Sequence, residues 1–368
     1  MLGREIRDVD LVIEGDADAF ARQLALHLGA SVRVHPRFAT ATLLVPGAGA
    51  LDVAATRRER YEQPGALPTV IPGAPIEEDL GRRDFTVNAM AVALRGRGSL
   101  LDPLGGREDL SRGLVRALHS GSFLDDPTRA LRAVRYGNRL DFRTEPATRG
   151  WLRSALEAGA LERLSADRLR REVRLVLEEP RRAAAVARME ALALDAAIHP
   201  ALRRREGTAS RLRRAELLAA GAETTWLCYL LAWMGSATVA EVRDVALRLG
   251  ISGAQERRFL AWPETAARFS KRLAPSALRR AARGLSADEI VAAAAGLGVA
   301  RGRTLLAAAS EPDAALPVRG QDLLAAGVPP GPAIGRALER TRAAIEDGSI
   351  AAADALAFAL SAAREGGA

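Results

Sequence analysis

Between the N-terminus and about residue 110 the apolar positions follow two different periods. RDVDLVIEG (7–15) alternates apolar and polar residues, which predicts a strand, and DADAFARQLALHLGA (16–30) has helical spacing. TATLLV (40–45) and LDVAAT (51–56) flank PGAGA and predict a hairpin. EQPGALPTVIPGAPIEEDL (62–80) has no period, so the expectation there is a long functional or mobile loop. From about 112 onward the pattern is amphipathic helix after helix, rich in Ala, Leu and Arg and broken by short turns such as LDDP, HPAL, APSA and PPGP. That change marks the main domain boundary, and no fixed-period repeat is evident.

Charge sharpens the picture. The 368 residues carry a formal net charge of +8, which favours a polyanionic partner. Lys271 is the only lysine, so nearly all the positive charge is arginine, whose planar fork suits phosphates and base edges; GC-rich coding would give the same bias. The arginine clusters at 203–206, 211–214 and 279–283 read as solvated helix faces. The sole cysteine, Cys228, excludes a disulfide framework or a thiolate metal cluster and is expected to be a buried, reduced core residue. The apolar run around it, 224–235, is far short of the ~20 residues that span a bilayer. With no charged-then-apolar leader, a soluble cytoplasmic protein without a membrane partner is expected. His27, His35, His119 and His199 are scattered, lack metal-ligand spacing and read as structural.

The candidate chemistry starts at Asp8 and Asp10. Residues i and i+2 of a strand point the same way, so these acids project together while Val9, Leu11 and Ile13 should face a core. Two such acids call for a cation, and Mg2+, a hard ion that takes oxygen ligands, fits best. Asp52, near the start of the second hairpin strand, could deliver a third carboxylate to the same spot. Arg82 and Arg83 in tandem would be costly to bury unpaired, but beside a triphosphate they become charge-assisted donors. Asp84 also suits a helix cap, with Phe85 and Met90 in a core. In DDPTRALRAVR, Asp126 before Pro127 looks like a helix start, after which Arg129, Arg132 and Arg135 step three residues at a time along one ridge.

The order of these features resembles a known family. RRDFTVNAMA (82–91) looks like the signature of the class II tRNA nucleotidyltransferases, the CCA-adding enzymes, and of their bacterial poly(A) polymerase relatives. LGREIRDVDLV resembles that family's metal-binding strand, LDVAATRRERYEQPGALP its third-acid strand and flexible loop, and LDPLGGREDL (101–110) its domain-linking turn. LDDPTRALRAVRYGNRLDF (124–142) resembles its nucleotide-selecting helix, LSADRLRREVRLVL (164–177) the helix after it, and VRGQDLLAAGVPPGPAIGRAL (318–338) its tail signature.

The resemblance implies an α/β nucleotidyltransferase head, a mixed β-sheet with flanking helices and N-terminally incomplete, followed by an all-α neck, body and tail. The expected divisions are a catalytic head at 1–111, a neck with the nucleotide-selecting helices at 112–180, a helical body at 181–310 and a tRNA-binding tail at 311–368. The implied activity is template-independent addition of C and A, from CTP and ATP, to the 3' end of tRNA by two-metal transfer. Asp8, Asp10 and Asp52 would hold Mg2+; Arg83 would bind phosphate, and Asp84 and Asn88 would lie near the ribose or shape the loop. Asp126 and Arg129 would read the base edge: an acid accepts from the exocyclic amine that cytosine and adenine share and uracil lacks, and the arginine donates to a ring nitrogen or carbonyl. Arg132 and Arg135 would hold phosphates.

The family's usual Glu-Asp pair is Asp125-Asp126 here. With four tryptophans, three tyrosines and eight phenylalanines there is no array of stacking platforms, so RNA should be held by backbone and shape along the acceptor stem. The alternatives are a CC-adding or A-adding enzyme, a poly(A) polymerase, or an inactive tRNA-binding protein. The last arises because the family's Gly-Gly turn and arginine, expected some fifteen to twenty residues before the metal acids, do not precede Asp8 here. No protein partner and no second, phosphohydrolase activity is implied.

Overall fold

The computed structural model describes residues 3, 9–35, 39–95, 98–311 and 315–365. It divides into two compact units, Met1–Val176 with Ala191–Ile198, and Leu177–Glu190 with His199–Ala368.

The first unit begins with a mixed sheet in the order β1-β4-β3-β2, built from β1 (Asp10–Ile13), β2 (Ser31–His35), β3 (Thr40–Val45) and β4 (Gly49–Ala55). β1 runs parallel to β4, and the other pairings are antiparallel. Helix α1 (Ala17–Leu28) covers one face. Asp16 caps its start by accepting from the Ala19 amide at 3.0 Å, and Gly29 ends it in the left-handed region at φ 59°. Ala17, Ala21 and Ala25 let α1 lie close against Leu43, Val53 and Ala55, with Leu11 and Ile13 at the margin of this core. Truncating the fully buried Leu43 to alanine would cost about 2–5 kcal/mol. Val9 departs from expectation: it precedes the strand and is 48% exposed, because the pairing that would bury it starts only at Asp10. Asp8 lies outside the described residues. SVRVH (31–35), which the pattern did not single out, is the edge strand β2.

The aperiodic stretch 62–80 is more ordered than a loop. β5 (Arg57–Arg60) pairs antiparallel with β6 (Thr69–Pro72), and α2 (Ile76–Gly81) follows. Short elements between prolines leave no period to read, and a two-stranded ribbon tolerates Pro72 at the end of its strand. Only 61–68 remains as the connection, and it is pinned: Gly65 N donates to Leu124 O at 3.1 Å.

The linking turn is held by carboxylates. Asp102 accepts from the Gly106 and Arg107 amides at 2.6 and 2.9 Å and caps α3 (Gly106–Arg112). Buried Asp109 accepts from Thr86 Oγ1 at 2.7 Å and Arg116 Nε at 2.8 Å. A short helix α4 (Ser122–Asp125) then turns at Asp126-Pro127 into α5 (Thr128–Leu140), followed by α6 (Pro146–Glu157) and α7 (Ala166–Leu177). The helical region also contains one small strand pairing, Leu114–Val115 with Arg143–Thr144.

In the second unit the helix Trp226–Met234 is buried at every residue, and burial pushes the free Cys228 thiol up. The arginine clusters expected to be solvated do structural work instead. Arg211 Nε donates to Ala232 O at 3.1 Å and Arg214 Nε to Ala295 O at 2.6 Å, each satisfying a carbonyl in the last turn of a helix. Arg279 bridges Glu311 and Glu346. No helix among the described residues is long and apolar enough to cross a membrane.

Candidate active site

Residues directly opposite each other on neighbouring strands share a face. Asp10 on β1 is the register partner of Asp52 on β4, and Asp52 is the partner of Thr42 on β3. This row lies on the face of the sheet away from α1, where both acids are exposed. Thr42 Oγ1 donates to Asp52 Oδ1 at 2.7 Å and fixes its orientation. Two juxtaposed carboxylates and a hydroxyl are an oxygen-only donor set, and among the described residues no cationic side chain pairs with either acid, which fits a hard divalent ion. Among the described residues no group of three or more His, Cys, Asp or Glu could hold a metal, so a third carboxylate from Asp8 falls outside what is described.

The row forms the floor of a cleft of about 740 Å3. RRDFTVN supplies one wall. Arg82 is held by Asp79 (Nη2 to Oδ1, 2.8 Å) and Glu59 (Nη1 to Oε1, 2.9 Å). Arg83 reaches Asp79 Oδ2 only at 3.4 Å, and its buried Nε has no hydrogen-bond partner. Asp84, 7% exposed, accepts from the Phe85 amide and from Asn88 Nδ2 through Oδ1, at 2.9 and 3.0 Å. Its Oδ2 takes Arg132 Nε at 2.8 Å and Nη2 at 2.7 Å. Burial opposes the charge on Arg132, but Asp84 and Tyr136 outweigh it and raise the guanidinium's pKa.

α5 packs directly against that wall and extends it. Asp126 caps that helix as expected: its Oδ1 accepts from the Thr128 amide and hydroxyl at 3.0 and 2.7 Å, and also from Arg168 Nη2 at 2.9 Å. Asp126 lines the cleft, and among the described residues no hydrogen bond reaches its Oδ2. Arg129, 5% exposed, donates to Ser122 Oγ at 2.7 Å and to Arg82 O at 2.6 Å, which ties α5 to the RRDFTVN segment. Arg135 does not join them. A three-residue step rotates a helix position by about 60°, so two steps carry Arg135 off the cleft toward Glu172 on α7, 3.6 Å away. Burial raises the pKa of Glu172 against the opposing pull of Arg135.

Asp10, Asp52, Arg83, Asp84, Asn88, Asp126, Arg129 and Arg132 therefore line one cleft. Sequence reasoning missed Thr42, Glu59, Tyr61, Asp79, Tyr136 and Arg168, which orient or adjoin them. Only Asp79 left a signal, as an acid three and four residues before two arginines. Chemically, acids on the floor of a cleft also lined by guanidinium groups suit a polyphosphate bridged by a hard cation, and the Asp126 carboxylate lines the same cleft.

Comparison with known proteins agrees. Residues 1–116 match the poly A polymerase head domain model. The chain is 32% identical over 363 residues to a CC-adding tRNA nucleotidyltransferase of Deinococcus radiodurans, covering 96% of this chain and 84% of the relative. It is 38% identical over 262 residues to an A-adding tRNA nucleotidyltransferase of Geobacter sulfurreducens, covering 68% of this chain and 30% of that one. Across three A-adding relatives it matches, the chain spans 22 to 41% of their lengths. The Thermotoga maritima CCA-adding enzyme complexed with tRNA superposes with a TM-score of 0.78 at 27% identity, over 98% of this chain and 88% of that one. The chain belongs to the tRNA nucleotidyltransferase family.

Proposed function

We propose that this chain adds C and A nucleotides, from CTP and ATP, to the 3' end of tRNA without a nucleic-acid template. The observation that carries the reading is the opposition, in one cleft, of the Asp10–Asp52 row to the Arg83, Asp84–Arg132 and Asp126–Arg129 groups. Asp10 and Asp52, with Asp8 as a third acid, would hold Mg2+, which when bound supplies Lewis-acid activation of the 3'-hydroxyl and neutralises charge on the departing pyrophosphate. Arg83 and Arg132 grip the triphosphate, with Asp84 fixing the angle of Arg132. Asp126 Oδ2 accepts from the exocyclic amine of cytosine or adenine, and uracil, which offers no amine there, leaves it unpaired. Arg129 holds the base-reading turn against the RRDFTVN wall through the Arg82 carbonyl. Arg135 supports the helix through Glu172 rather than touching phosphate.

A narrower reading, addition of CC only, draws on the Deinococcus relative, which this chain matches along nearly its whole length. Incubating the chain and Mg2+ with tRNA ending at the discriminator base, at C, or at CC, and with each nucleoside triphosphate separately, tests both. Full CCA addition predicts C incorporation on the first two and A on the third. C alone selects the narrower reading, and tRNA binding without incorporation rejects both.

A further inference from the structure

The row that carries Asp10 and Asp52 continues one strand further. Thr42, partner of Asp52, is also the register partner of Arg33 on the edge strand β2, so the order across the open face is Arg33, Thr42, Asp52, Asp10. The next row on that face is His35, Thr40, Ala54, Val12. A second groove, of about 270 Å3 and lined by Ser31, Arg33, His35, Thr42 and Leu44, adjoins the main cleft and shares Thr42 with it. Arg33 is exposed, and no hydrogen bond or ion pair to it is recorded among the described residues. It is thus an uncompensated cation about 10 Å, two strand spacings, from the strand of Asp52.

Building on the function proposed above, we infer that this β2 groove seats the end of the acceptor strand, with Arg33 donating to the phosphodiester of the last nucleotide before the attacking 3'-hydroxyl. Charge selects the occupant. A strand whose terminal hydroxyl sits at Asp52 must bring its own phosphates near two carboxylates, and the groove offers them a guanidinium on the side away from Asp10. Arg83 and Arg132, proposed above to grip the triphosphate, line the main cleft and not this groove. The guanidinium offered to the acceptor strand is therefore separate from those proposed for the triphosphate. Val32 and Leu44 give the groove an apolar side on which a sugar can pack while Arg33 takes the phosphate.

The test is equilibrium binding of tRNA ending in CC, and of the same tRNA shortened by three nucleotides, to the full chain and to its Arg33→Ala and Arg33→Lys variants. The proposal expects Arg33→Ala to weaken binding of the longer tRNA about tenfold, to lower its log K against log salt slope by about 0.7–0.9, and to leave the shortened tRNA within twofold; Arg33→Lys should recover most of the loss. Equal weakening of both tRNAs, or of neither, overturns it. Because the readout is binding, a chain that binds tRNA with this pattern but incorporates nothing would uphold the groove and reject the proposed activity. In a chain that does incorporate nucleotides, a raised KM for the triphosphate with an unchanged KM for tRNA in Arg33→Ala would overturn the assignment of Arg33 to the acceptor strand.

Discussion

Arg132 and Asp84 form an ion pair in the lining of the cleft: Nη2 of the guanidinium lies 2.7 Å from Oδ2, and Nε donates to the same oxygen at 2.8 Å. The carboxylate is nearly buried, and the arginine side chain is 35% exposed. Asp84→Ala leaves that charge without its partner. The expected loss is roughly 2–3 kcal/mol, below the 3–5 of a fully buried pair because water still reaches Arg132. Denaturant titration of Asp84→Ala, Arg132→Ala and the double variant measures it; a coupling near zero would mean the pair does not orient Arg132.

Arg168 joins two features far apart in sequence, donating to Gly65 O at 2.6 Å and to Asp126 Oδ1 at 2.9 Å. Its removal leaves Asp126 held only by the Thr128 amide and hydroxyl. Arg168→Ala should raise KM for CTP and ATP by about 10- to 100-fold, the range expected for one hydrogen bond to a charged group. It should also increase misincorporation from UTP. Unchanged selectivity, measured with the four triphosphates in parallel, would place base reading elsewhere.

Glycines give a paired stability test. A Cβ on Gly106 would stand 2.2 Å from Thr86 O, whereas one on Gly150, inside α6, meets nothing within 4 Å. Gly106→Ala should therefore destabilise by at least roughly 1–3 kcal/mol, and Gly150→Ala should stabilise by about 0.5–1 kcal/mol. Thermal melts of the two variants should shift in opposite directions.

Acid stability should reveal Glu145. Burial alone would raise its pKa, but hydrogen bonds from Thr148 and Ala147 outweigh that and lower it, as befits the cap of α6. A depressed carboxylate stabilises the fold above its unfolded pKa, near 4.5, and that contribution is lost as pH falls through the lower folded value. Glu145→Ala should cost about 1 kcal/mol at pH 7, and the gap to the parent chain should shrink below pH 4. A gap constant from pH 7 to pH 3 would contradict the capping role.

The parts of the fold and site that were legible in sequence are those set by local spacing. Alternation placed Asp10 on a strand, helical spacing gave α1 between Asp16 and Gly29, and the acid-proline pair announced the start of α5. What stayed hidden depends on contacts between distant segments. Glu59 and Asp79 face Arg82 only because the β5–β6 ribbon folds beside α2, and neither strand of that ribbon is long enough to show a period. The three-residue spacing of Arg129, Arg132 and Arg135 shows a ridge that drifts around the helix, but not that the third arginine is drawn to Glu172. Arg211 and Arg214 looked like solvated charge because nothing local shows that their partners are carbonyls 21 and 81 residues ahead.

The central claim is that the Asp10–Asp52 row performs nucleotidyl transfer. Its most direct test is labelled CMP incorporation from CTP onto tRNA ending at the discriminator base, by the parent chain and by Asp52→Asn, with tRNA binding measured on the same preparations. The account predicts incorporation by the parent, a loss of at least about 1,000-fold in the variant, and tRNA binding within about threefold of the parent. Incorporation by Asp52→Asn at the parental rate would contradict it.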